Sequence, residues 1–135
     1  MPRDGGRIVI ISDLSPKRLL RIAEDIAVDS HCGIEDLEDD DRDGFHIYDA
    51  KAEPRFYTVT SLLLSSTGTL RAPLDIEVSA TRTKKDDGKI VLDWAETGNA
   101  VRRNVCRTFA RSFADELEAR IEDADGEVLE SYDED

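Results

Sequence analysis

The stretch "LDIEVSATRT" (74–83) sets Leu74, Ile76, Val78 and Ala80 against Asp75, Glu77, Ser79 and Thr81 in strict alternation. A period of two is that of a β-strand with one dry and one wet face. "KKDDGK" follows with an Asp-Gly turn signal and leads into "KIVLDWA" (89–95), whose Ile90, Leu92 and Trp94 form the matching inward set. A hairpin solvated on one side requires an antiparallel sheet that is covered on the other side alone.

Helices must supply that cover. "RIVII" (7–11) reads as a strand buried on both faces. Ser15 then caps a helix that opens on Pro16, presents Leu19, Ile22, Ala23 and Ile26 on one side and stops at Gly33. Further extended pieces are expected at 45–49 and 55–65, with "EDLEDDDRDG" as a loop. From about Asn99 to Ala124, Val101, Val105, Phe109, Phe113, Leu117 and Ile121 recur at every fourth residue. A four-residue step drifts about 40° around a helix, so this stripe winds obliquely, as a twisted sheet requires.

The predicted class is α+β, in the order β-α-β-β-β-β-α, with an antiparallel twisted sheet and two helices on one face. In arrangement alone it resembles the helix-grip and TATA-binding-protein-like folds, and more loosely the small α+β domains of some bacterial envelope proteins. Residues 1–124 are read as one domain and 125–135 as an acidic tail, with Val128, Leu129 and Tyr132 able to dock.

Thirty-one acids against 18 bases give a formal charge of −13. That surplus repels nucleic-acid phosphates and anionic membranes, so neither is an expected partner. A protein with a basic face is expected, with a second copy of the chain as a further candidate. No apolar run approaches the roughly 18 residues of a membrane helix, and the first residues lack a signal peptide's apolar region. With two cysteines in no metal or redox spacing, the chain reads as cytosolic.

Three groups of residues invite a functional reading. "DDDRDGF" (39–45) places Asp39, Asp41, Asp43 and Gly44 as in the first half of a calcium loop. The bidentate Glu due at the twelfth position is replaced by Ala50. The pattern after Gly44 is extended, and in a chain with 19 Asp residues the match is expected as an acidic connection. Arg103, Arg107 and Arg111 form a four-residue ridge on the last helix, whose basic N-terminal half opposes the macrodipole. Pairing with acids elsewhere explains the ridge; a local anion or partner site is the functional alternative. Phe56, Trp94, Phe109 and Phe113 could line an apolar cavity if the sheet curves around the last helix. No phosphate-cradling glycine loop, HExxH or GxSxG is present, so no cofactor is expected and enzyme chemistry has little support. The leading function is therefore a non-catalytic interaction or regulatory protein. The alternatives are a small-ligand carrier of helix-grip type and a calcium module.

Overall fold

The computed structural model describes residues 6–37, 43–51, 63–64, 70–94 and 100–134, with side chains described for 6–37, 43–51, 74–94 and 106–133. The elements run β1 (Gly6–Ser12), α1 (Pro16–Asp29), β2 (Gly33–Asp36), β3 (Asp43–Lys51), β4 (Leu63–Leu64), β5 (Leu70–Arg82), β6 (Gly88–Trp94), α2 (Ala100–Asp123) and β7 (Val128–Glu134). The protein is α+β: an antiparallel sheet in the order β2-β3-β5-β6-β1-β7, with β4 added on β5, and two helices. Of the strand expected at 55–65, only Leu63 and Leu64 lie within the described residues, paired with Arg71 and Leu70.

Period-two alternation decides which strand residues meet the helices. Ile8 and Ile10, Phe45 and Ile47, Leu74 to Ala80 at alternate positions, and Ile90, Leu92 and Trp94 share one core with both helices. α1 contributes Leu19, Ala23, Ile26 and Ala27. α2 contributes Cys106, Phe109, Ala110, Phe113, Ala114, Leu117 and Ile121. The four-residue stripe is thus buried wherever its side chains are described, and α2 lies across β5, β6 and β1. Each large apolar side chain so buried stabilises the fold by about 1.5–3 kcal/mol. On β1, Val9 points away from the helices and is still fully buried, whereas Arg7 and Ile11 on that face are half-buried.

Several expectations are corrected. Residues 128–134 are not a fraying tail: they form β7, which pairs antiparallel with β1 from Arg7↔Glu134 to Ser12↔Val128. Acid content hid this strand, because its ladder uses main-chain groups and only Val128 reaches the core. β7 also changes the meaning of α2. β1 stands between β6 and β7 and runs antiparallel to both, so β6 and β7 are parallel and α2 is the crossover that joins them. The acidic loop is shorter than expected, because Gly33–Asp36 already pairs with β3 as β2.

The glycines proved informative for unexpected reasons. Beyond the end of α1, the closing turn passes through His31, in the left-handed region at φ 55, with Cys32 N–H donating to the Ala27 carbonyl and His31 N–H to that of Val28. Gly33 instead leaves room for the Tyr48 ring and the Asp49 carboxylate, which a Cβ would meet at 2.4–2.6 Å. In the hairpin, Thr83 and Asp87 close a loop of Lys84, Lys85 and Asp86, and Asp86 takes the positive φ of 70. Gly88 lies beyond the turn, where an added Cβ would come 2.1 Å from the Leu14 carbonyl oxygen. This division of labour predicts opposite responses. Gly88→Ala should lower stability by about 1–3 kcal/mol through overpacking. Asp86→Gly should change it by less than about 1 kcal/mol. Urea midpoints of the two variants would check the contrast.

Candidate functional site

Two surfaces bring together side chains able to recognise something. The first is the side of the sheet that neither helix covers. Alternation there is read across strands rather than along them. Glu35 on β2 pairs with His46 on β3, His46 with Glu77 on β5, Glu77 with Asp93 on β6, and Asp93 with Arg7 on β1. Glu134 on β7 stands opposite Arg7. One row of ionisable residues therefore crosses six strands.

Within this row the bases are engaged. Arg7 Nη2 donates to Asp93 Oδ2 at 3.3 Å, and Asp93 is 8% exposed. His46 Nε2 lies 2.8 Å from Asp75 Oδ1, two residues along β5 from Glu77 and on the same face. Glu35 is exposed, and Glu77 and Asp75 are half-buried. The next row is apolar in its middle, with Ser79, Val91, Val9 and Tyr132 in register. Tyr48 on β3 and Tyr132 on β7 remain 43% and 39% exposed.

The second surface is a cleft of about 400 Å³ between the C-terminal turn of α1 and the middle of α2. Its apolar floor is Ile26, Phe109 and Phe113, with the two phenylalanine rings 6.1 Å apart. Asp29, Asp115, Glu116, Arg120 and Lys51 stand around it. Arg120 is committed to structure. Its Nε donates to Glu116 at 2.9 Å and its Nη2 to Asp29 at 2.8 Å, so one guanidinium ties α1 to α2. Those two hydrogen bonds, Glu116 first, raise its pKa above the ordinary arginine value.

The predicted site residues are distributed unevenly. Phe109 and Phe113 meet at the cleft, whereas Trp94 packs into the sheet core over Gly6, where a Cβ would lie 2.2 Å from the ring. Trp94 Nε1 has no hydrogen-bond partner among the described residues. Phe56 lies outside the described residues. Of the arginine ridge, Arg111 forms an ion pair with Asp133 of β7, Arg107 is exposed on α2, and the side chain of Arg103 is outside the described set. Asp39 and Asp41 are likewise outside it. Asp43 opens β3 opposite Ala80, and the chain continues extended through Gly44, so no helix follows the acidic loop as an EF-hand requires. No three His, Cys, Asp or Glu among the described residues form a metal-holding group. No described helix is long and apolar enough to cross a membrane. The Glu35–Glu134 row was missed because it is written across strands, and register is invisible until the partners are known.

Comparison with protein-family models, curated proteins and solved structures returns no match. The arrangement of side chains must therefore carry the functional reading alone.

The clamp generates a direct expectation. Arg120→Ala should lower stability by about 1 kcal/mol, the scale of an exposed ion-pair network. Arg120→Lys should recover less than half of that, because a single ammonium cannot reproduce the planar fork that holds two carboxylates. Chemical denaturation of the two variants would measure both.

Proposed function

We propose that this chain is a non-catalytic interaction protein that docks a partner with a basic face on the helix-free side of its sheet. The observation that carries the reading is the row from Glu35 to Glu134, in which Glu35, Glu77, Asp93 and Glu134 outnumber Arg7 and His46. A rigid antiparallel sheet fixes these charges at strand spacing and needs no rearrangement to meet a partner. The formal charge of −13 adds long-range attraction for a basic surface and repels other acidic proteins. Asp29, Glu116 and Arg120 are occupied in joining the helices, which fits a binding role better than a catalytic one.

Charge reversal tests this reading. The immobilised protein should retain a basic partner at low ionic strength and release it as salt approaches about 0.5 M, where screening becomes short-ranged. The double reversal Glu35→Lys with Glu77→Lys should slow association by about tenfold, leaving dissociation little changed. Glu122→Lys with Asp123→Lys on the helix layer, the same change in net charge, serves as a control. Equal slowing by the control would reduce the effect to net charge and remove the sheet face from the reading.

A second reading, a small-ligand carrier of helix-grip type, is favoured by one observation: the 400 Å³ cleft with its phenylalanine floor. Its volume falls within the range of small-molecule pockets. The cleft lies between the helices rather than between the sheet and the last helix, which departs from the helix-grip arrangement. Nile red, a neutral solvatochromic dye, should brighten with the wild-type protein and not with Ser112→Trp, which fills the cleft. Equal brightening of both would end this reading.

A further inference from the structure

The two edges of the sheet are treated differently. β2 closes one edge with four residues, two of them acidic. β7 closes the other with seven, and no described strand or helix lies along its outer side. Proteins blunt such edges with charged side chains, lysine above all, and with proline, bulges or short strands. β7 contains no proline and no basic residue, its charges are the acids Glu130, Asp133 and Glu134, and its single register shift lies at its first residues, beside Ile11 and Ser12. Glu130 to Glu134 are therefore regular strand, and no described residue pairs with the main-chain donors and acceptors of its outer side.

This edge is also held firmly. Besides the ladder to β1, Glu127 N–H donates to Asp13 Oδ1 at 2.8 Å, and Asp133 is ion-paired with Arg111 of α2. Leu129 and Tyr132 remain 43% and 39% exposed on it. A preorganised edge with exposed apolar side chains is costly to leave bare unless something pairs with it.

Charge selects the occupant. A second copy would set Glu130, Asp133 and Glu134 against the same three acids, with no base in either strand to relieve them. A basic strand meets no such obstacle. We propose that β7 is a strand-addition edge, on which an extended segment of the partner pairs with the main chain of Glu130–Glu134. Alternate positions Glu130, Tyr132 and Glu134 then face a partner pattern of basic, any, apolar, any, basic. This proposal rests on the basic-partner reading above and adds where and in what conformation the partner binds.

The test uses the full chain and three short capped peptides of otherwise threonine sequence. The first carries lysine, valine and lysine at alternate positions. The second has glutamates in place of the lysines. The third keeps the lysines but is N-methylated on alternate residues, which removes strand pairing and preserves charge. The first peptide should bind at low salt, about tenfold more tightly than either of the others, and should slow amide exchange across 130–134. Glu130→Lys with Glu134→Lys should reverse the preference to the glutamate peptide, a rescue that a folding defect cannot produce. Equal binding of the N-methylated peptide, or binding without protection of 130–134, would overturn strand addition and leave the basic-partner reading standing. Failure of both lysine peptides to bind would overturn strand addition. The basic-partner reading would then be judged by the charge-reversal experiment alone.

Discussion

Burial of one oblique stripe of α2 against the sheet is the interaction on which the rest of this structure depends. Phe109, Phe113, Leu117 and Ile121 fill the space over β5, β6 and β1 and meet α1 through Ile26 and its neighbours. A surplus of acids spread over a small protein opposes compaction by self-repulsion. The chain tolerates that surplus because charge and apolar surface are segregated by period: alternate residues of β5 and β6 from Leu74 to Ala80 and from Ile90 to Trp94, and the buried side of each helix, are free of carboxylates. The acids then reside where water or a partner can solvate them.

Segregation leaves the two sides of the sheet with different work. The covered side holds the fold together. The bare side arranges ionisable groups in register, with Arg7 and His46 each held against an acid and Tyr48 and Tyr132 partly exposed. α2 is stitched to α1 by Arg120 and to the last strand by Arg111, so these two arginines serve cohesion. The opposition to the macrodipole noted in the sequence has a structural counterpart in the second of these, since Arg111 finds its acid on β7.

Much of the architecture could be read from residue order. The alternation of Leu74 to Ala80, the Ser15 cap with Pro16, and the stripe of α2 each rest on local periodicity, which a single chain displays in full. What escaped was non-local. β7 has weak intrinsic strand character and exists because β1 offers it an edge. The ionic row needs five strand pairings before it can be seen. Turn chemistry misled in a more instructive way: Gly33 and Gly88 looked like stop and turn signals, whereas close approach of Tyr48 and of the Leu14 carbonyl requires them. Glycine marks either a dihedral need or a spatial one, and sequence does not separate the two.

The position of β1 has a kinetic consequence. It precedes every other described strand in the chain, and its two neighbours, β6 and β7, follow all the rest; the Arg7–Asp93 contact alone spans 86 residues of chain. Its run of isoleucine and valine must therefore wait, unpaired on both edges, until β6 has been made. Closure of such distant segments places this small protein among slow, high-contact-order folders, with a nascent state in need of shelter from aggregation.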